Sequence, residues 1–67
     1  MDLDGRIYVG LMFTHYARND QYTVVDILTT TNLAGEIVKI EVKCEREFLG
    51  QTLTSHHPQS TIIRSIS

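Results

Sequence analysis

The feature that constrains the fold most is a strict alternation of apolar and charged residues near the middle of the chain. It runs Val38, Lys39, Ile40, Glu41, Val42, Lys43, Cys44 and Glu45. Successive side chains of a strand point to opposite faces of a sheet, whereas a helix would spread these charges around its circumference. The alternation therefore predicts a strand with one buried face, on which the charged residues between 39 and 45 form a solvated row.

A second β-rich run precedes this strand. It spans Tyr22–Thr31 and consists mainly of β-branched, aromatic and other apolar residues, which favour strands. The intervening Asn32–Glu36 has the length of a hairpin loop, and Gly35 can adopt the positive φ angle that such loops use. Short hairpin loops force antiparallel pairing, so the two runs are expected to be neighbouring strands.

Two charged residues break the apolar phases of this hairpin. Asp26 interrupts the phase of Tyr22, Val24 and Leu28, so the cleaner core face is that of Thr23, Val25 and Ile27. Arg46 falls in the buried phase of the later strand, which must therefore bulge, leave the core or meet solvent at that point. Both departures indicate a hairpin that curls.

The rest of the chain predicts three further strands and little or no helix. They are expected over Arg6–Thr14, with a bend at Gly10, over Gln51–Thr54 and over Ser60–Ile66. Pro58 lacks a backbone donor, so Ser55–Gln59 is expected to leave the sheet in a turn of 3₁₀ type. No stretch has a convincing helical period, because the nearest candidate, Cys44–Gly50, is too short to be stable alone.

The size of the chain limits its core. Its 67 residues, 42% of them hydrophobic and 21% charged, fit one small β domain over residues 1–67. A core of this size supplies about 3–5 kcal/mol without disulfides. Self-association would supplement that stability, so a homodimer is a natural expectation.

Charge and cysteine content bear on partners and compartment. A formal net charge of −2 disfavours nucleic acid as a partner, because domains that neutralise phosphates usually carry a basic excess. The single Cys44 cannot form an internal disulfide, so a reducing, cytoplasmic setting is expected. No run approaches the roughly 20 apolar residues of a membrane span, and the N-terminus has no leader pattern, so no membrane association is expected.

The residues that could carry chemistry are few. His15, Cys44, His56 and His57 lack the paired spacing of zinc ligands, so neither a metal nor another cofactor is expected. Cys44 lies in the buried phase of its strand, which opposes the low thiol pKa that a nucleophile needs. The chain is therefore expected not to be an enzyme, unless oligomerisation builds a site between subunits.

A pattern that covers most of the chain resembles a known family. It comprises Val9 and Gly10, Phe13, the run from Tyr22 to Ile27, the Gly35 hairpin and the Pro58 turn. This pattern resembles small SH3-like barrels, including KOW and Tudor-like modules, and it looks like the short SH3-like proteins common in bacteriophage genomes. The resemblance implies an all-β, five-stranded barrel or a strongly curled antiparallel sheet. The family's aromatic groove would correspond to Tyr16 and Tyr22, but the absence of Trp argues against proline-rich ligands.

The strongest functional candidate is a binding surface. Its expected residues are Tyr8, Met12, Tyr16, Tyr22, Arg18 and Arg46, which combine residue types enriched at interfaces. They predict a non-enzymatic protein-interaction module, such as a phage-encoded accessory or inhibitory factor that binds a host protein, with the last strand as a dimer edge. Two alternatives stay open: the tyrosines cap the core with wet hydroxyls, or the arginines and tyrosines bind RNA or DNA.

Overall fold

The protein is a four-stranded antiparallel sheet with one helix. The computed structural model describes residues 2–67. The strands are β1 (Met12–Thr14), β2 (Gln21–Thr31), β3 (Ile37–Phe48) and β4 (Gln51–Pro58), and helix α1 (Gln59–Ile66) follows directly. The sheet order is β1-β2-β3-β4, so β1 and β4 lie at opposite edges. The largely β architecture is confirmed, but residues 2–67 form an open sheet of four strands and not a five-stranded barrel.

The prediction of a last strand over Ser60–Ile66 is wrong, because this segment is α1. Ile62 is buried, and Ile63 and Ile66 pack against the same core. Positions i, i+1 and i+4 share one face of a helix, so all three isoleucines point toward the sheet. Their β-branched side chains favoured a strand in isolation, but the burial available against the sheet outweighs that weak local preference.

Strand β4 runs further than expected, from Gln51 through Pro58. Leu49 and Gly50 form the two-residue turn before it, with φ angles of 52° and 79°, the positive signs of a type I′ hairpin. In such a hairpin Phe48 and Gln51 form a hydrogen-bonded pair, and pairs alternate from there. Pro58, opposite Glu41, falls at a position whose nitrogen faces away from β3. The edge strand therefore tolerates Pro58, and the expected 3₁₀ turn does not form.

The first strand is shorter than expected, because only Met12–Thr14 of Arg6–Thr14 pairs with β2 in a regular ladder. Gly10 has a φ of 101°, in the region that favours glycine. Its amide donates to the Val24 carbonyl at 2.8 Å, and the Val24 amide donates to Leu11 at 2.8 Å. The segment before β1 thus bends at Gly10, as expected, while it still follows β2.

A β-bulge reverses the faces of β2. Val24 pairs with Cys44 and Asp26 pairs with Lys43, which leaves Val25 as an extra residue in β2. Before the bulge Tyr22 and Val24 are buried in the core. Beyond it, Ile27 lies opposite buried Val42 and packs against that core. The prediction that Thr23 and Val25 share the core face with Ile27 is therefore wrong for the first two residues and right for the third.

The core lies between one face of the sheet and α1. Its buried members are Ile7, Phe13, Tyr22, Val24, Val42, Cys44 and Ile62. The ends of α1 are tied down by hydrogen bonds: Gln59 Oε1 accepts from the Asp4 amide at 3.0 Å, and Ser65 Oγ accepts from the Tyr16 amide at 3.2 Å. The helix is thereby fixed across the sheet at both of its ends.

The hairpin between β2 and β3 matches its prediction. Its loop is Asn32–Glu36, and Gly35 has a φ of 82°. The Asn32 side-chain oxygen accepts from the amides of Ala34 at 2.9 Å and Glu36 at 3.0 Å. Asparagine side chains commonly stabilise turns in this way.

We expect Ile62→Ala to destabilise the fold by about 2–4 kcal/mol, because Ile62 is fully buried and its loss leaves a cavity. That amount is comparable to the whole stability of about 3–5 kcal/mol for a core of this size. Urea denaturation followed by circular dichroism measures the change. Ser60→Ala, on the exposed side of α1, is the control and should stay close to wild type; an equal loss in both variants would contradict this packing.

We expect Leu49→Asn to stabilise the chain by about 1 kcal/mol, because a left-handed conformation costs most L-residues about 1–2 kcal/mol and asparagine tolerates it. The Leu49 side chain is 87% exposed, so its removal loses few contacts within the chain. Leu49→Ala removes the same side chain without relieving the backbone and should bring no gain. Thermal unfolding at low protein concentration tests the pair, and a lower midpoint for Leu49→Asn would contradict the turn assignment.

Candidate interaction surface

An aromatic cluster joins the β1–β2 turn to β4. The rings of His15 and His57 lie with centroids 5.5 Å apart, and the Tyr22 ring contacts both, at 5.9 Å from His15 and 5.3 Å from His57. His15 is buried, and its Nδ1 accepts from the Ala17 amide at 3.1 Å. Tyr22 itself is only 1% exposed. The cluster therefore extends the core and orders the turn after β1.

Among residues 2–67, the side-chain pair that most resembles catalytic machinery is Ser55 and His57, beside this cluster. Ser55 Oγ lies 2.9 Å from His57 Nε2, and the two alternate on the core-facing side of β4. The hydrogen bonds found within residues 2–67 give the imidazole no carboxylate partner. A hydroxyl and an imidazole without a third orienting group lack the arrangement that activates a serine. The contact therefore only links two side chains of β4.

Burial and neighbouring charges shift the pKa of His57. Burial lowers its pKa, and the nearby positive charges of His15, Arg18 and His56 lower it further.

Cys44 lies beside this cluster in the core, where burial raises the pKa of its thiol to about 11. At neutral pH its thiol is protonated, which opposes a nucleophilic role. Within the described part of the chain, no three His, Cys, Asp or Glu side chains converge to hold a metal ion.

The six residues expected to form one binding surface are dispersed. Tyr8, Met12 and Tyr16 are exposed large side chains, whereas Tyr22 lies in the core and is not available at the surface. Tyr16 lies beneath the Arg64 guanidinium at 4.3 Å. The binding role of the exposed residues stays a prediction.

The two arginines of the set have different surroundings. Arg18 is an exposed residue of the β1–β2 turn. The Arg46 guanidinium lies 5.2 Å from the Phe48 ring and 3.9 Å from an Asp20 carboxylate oxygen. Arg46 and Met12 line one shallow pocket of about 470 Å³, which contains none of the tyrosines.

The face of the sheet opposite α1 carries the predicted solvated row. Lys39, Glu41, Lys43 and Glu45 alternate with the buried residues of β3, as the sequence predicts. Lys39 Nζ lies 2.9 Å from a Glu41 carboxylate oxygen, and this lysine lowers the Glu41 pKa. Charges of both signs alternate on this face, so it presents no strong field of one sign to a partner.

The free edge of β4 is an open hydrogen-bonding surface of the sheet. Because pairs alternate from Phe48 and Gln51, the backbone groups of Thr52, Thr54 and His56 point away from β3. No strand follows β4 in the sheet of residues 2–67. Strand β4 contains no Lys, Arg, Asp or Glu, although charged residues are a common protection of edge strands. Pro58 removes a donor only at the far end.

The two ends of β4 differ in their surface. At its start, the β3–β4 turn presents an apolar tip, in which Leu49 is 87% exposed, Phe48 51% and Leu53 37%. At its end, an open groove of about 500 Å³ lies between the last residues of β4 and the start of α1 on one side and β3 on the other. Its walls include Val38, Ile40 and Pro58, of which Val38 is 50% exposed.

Sequence reasoning missed this edge because it ended the fourth strand at Thr54. The signal that could have found it is the alternation of Leu53, Ser55 and His57 on one side of β4, which continues the period of two up to Pro58. The exposed tip had a signal as well. Leu49 precedes Gly50 between two β-type runs, and two-residue hairpins require positive φ angles at such a pair.

Comparison with protein-family models, curated proteins and solved structures finds no match to this chain. No helix in residues 2–67 is long and apolar enough to cross a membrane.

We expect the unfolding free energy to fall as the pH is lowered from about 7.5 to about 5.5. The folded chain holds the His57 pKa below its ordinary value of 6.5, so the unfolded chain binds more protons in this range and is favoured. His57→Gln removes this contribution and should lose less stability over the same interval. Urea denaturation at both pH values measures the difference.

The control for this pH dependence is Ser55→Ala, which removes the hydroxyl partner and keeps the imidazole. It should retain the wild-type loss of stability on acidification. The carboxylates with lowered pKa values, Asp4 and Glu41, have ordinary values of 3.8 and 4.5 and change the stability only at lower pH. An equal loss in His57→Gln and wild type would contradict the assignment to His57.

Proposed function

We propose that this protein is a non-enzymatic protein-interaction module that binds an extended segment of a partner along the free edge of β4. The observation that carries the proposal is the exposed row of backbone donors and acceptors at Thr52, Thr54 and His56. A partner strand can pair with such a row through main-chain hydrogen bonds, while its side chains add specificity. The expectation of a bacteriophage accessory or inhibitory factor is compatible with this mode of binding.

The surroundings of the edge favour a peptide over other ligands. Strand β4 contains no Lys, Arg, Asp or Glu, so an approaching strand meets none of the charges that those side chains carry. The exposed Leu53 and Phe48 offer apolar contacts on the side of the sheet that carries α1. Apolar contacts beside main-chain pairing are typical of strand addition to a sheet edge.

Nucleic-acid binding, the second function expected from the sequence, gains no specific support from the arginines. Arg6 donates from Nε and Nη2 to the two Asp4 carboxylate oxygens at 3.1 and 3.0 Å. Arg64 lies over Tyr16, and Arg46 lies near Asp20. Phosphate contacts would have to compete with these partners, in a chain of net charge −2.

The proposal is tested by selecting random linear peptides that bind the immobilised chain and measuring the affinity of the selected peptides for variants. Thr54→Pro removes the central outward-facing amide, while the pairing with β3 is retained because this amide does not face β3. The selected peptides should bind Thr54→Pro at least about tenfold more weakly, since a hydrogen bond is lost and the proline ring obstructs the partner strand.

The matched control is Thr54→Val, which keeps the amide and the β-branched shape and should bind as wild type does. Circular dichroism shows whether both variants keep the fold. Selection of no peptides, or of peptides that bind Thr54→Pro as well as wild type, would overturn the proposal. Binding to mixed RNA or DNA that weakens steeply with salt would support the second function instead.

A further inference from the structure

We infer that the strand bound at β4 is the β4 of a second copy of this chain, in a two-fold symmetric dimer with the leucine tip of each copy seated in the apolar groove of the other. The inference rests on the proposed function, because it uses the same edge. It goes further by naming the occupant. Three observations carry it: the strain at Leu49, the positions of tip and groove, and the absence of charge along β4.

Leu49 is the least expected residue of the β3–β4 turn. It has a φ of 52°, a conformation that is costly for leucine and easy for glycine or asparagine. Its side chain is 87% exposed, so contacts within the chain do not compensate for the strain. A strained, exposed apolar residue is the kind of outlier that indicates a contact outside the chain.

The tip and the groove lie at opposite ends of the same strand. The tip precedes Gln51, and the groove begins near Pro58 and is walled by Val38 and Ile40. In an antiparallel pair of two β4 strands, the start of each strand lies beside the end of the other. A two-fold axis therefore brings each tip to the other copy's groove, which is the self-complementarity that a symmetric dimer requires.

The hydrogen-bonding pattern allows such a pair. With the axis at Thr54, this residue pairs with its own symmetry mate, and Thr52 pairs with His56 of the second copy. All of these residues have backbone groups that face the free edge. Gly50 of one copy then lies level with Pro58 of the other, which places Leu49 at the mouth of the groove. The result is a continuous sheet with four strands from each copy.

The electrostatics of the edge also suit a second copy. Symmetric pairing brings identical residues together, so any charge at the centre of β4 would face its own like charge. The strand contains no Lys, Arg, Asp or Glu, whereas the neighbouring β3 alternates charges along its outer face. Among the three long strands β2, β3 and β4, only β4, which the symmetry axis would cross, contains no Lys, Arg, Asp or Glu.

The test is sedimentation of the full chain over a range of concentrations. The wild type should form a species of twice the chain mass of 7.6 kDa. Leu49→Ala should weaken the dimer by at least about tenfold, because each tip loses a buried leucine side chain. Leu33→Ala is the matched control, since Leu33 is fully exposed at the other hairpin loop, and its dimer should be as strong as wild type.

The contact between tip and groove is tested by a double-mutant cycle on the dimer dissociation constant. Leu49→Ala and Val38→Thr should be non-additive, because the two side chains meet across the interface. Leu49→Asn should weaken the dimer while it stabilises the monomer, so that association and unfolding change in opposite directions. Additive effects in the cycle would overturn the placement of Leu49 in the groove.

Two results separate this inference from the proposed function. A chain that is monomeric at every concentration, yet still selects peptides that require the Thr54 amide, would overturn the dimer and leave the interaction module standing. A dimer that Thr54→Pro and Leu49→Ala leave intact would also overturn the inference. Selected peptides that convert the wild-type dimer to monomers would support both.

Discussion

The contact of α1 with one face of the sheet is the interaction on which the rest of the structure depends. The helix contacts β1, β3 and β4, and its Ile62 is fully buried in a core whose strand members come from β1, β2 and β3. An element of this length covers only part of one face of a four-stranded sheet. The opposite face is left without a covering helix, and no further strand of residues 2–67 pairs with the edge strands.

The bulge at Val25 allows β2 to place apolar side chains in the small core both before and after it. Without it, a strict period of two would place Asp26 on the core side with Tyr22 and Val24. The extra residue shifts the phase, so that Asp26 faces Lys43 on the outer side and Ile27 faces Val42 on the core side. Bulges increase the local twist of a strand. The departure from alternation that the sequence displays at Asp26 is thus a structural device and not a loss of strand character.

The parts of the fold that could be predicted are those governed by local periodicity. The β2–β3 hairpin, its Gly35 loop and the polar row of β3 depend on alternation and turn chemistry, which neighbouring residues determine. The helix could not be predicted in this way, because Ile62, Ile63 and Ile66 fit a helix only once a sheet is present to bury them. The role of Pro58 depended on whether β4 was central or at an edge, which is a property of the sheet. The free edge and the groove could not be predicted for the same reason, since both are defined by residues distant in sequence.

Leu49 and the small core bear on the inferred dimer in different ways. A chain whose folded state is favoured by only a few kcal/mol gains little from keeping a leucine in a left-handed turn. Association changes that balance, because a second copy that binds only the folded state stabilises it by mass action. A residue that costs stability in the monomer can therefore increase the stability of the folded protein at concentrations where the dimer forms. In the dimer that we infer, strain at the turn and marginal stability of the core would be two consequences of one arrangement, in which part of the folding free energy would come from the interface.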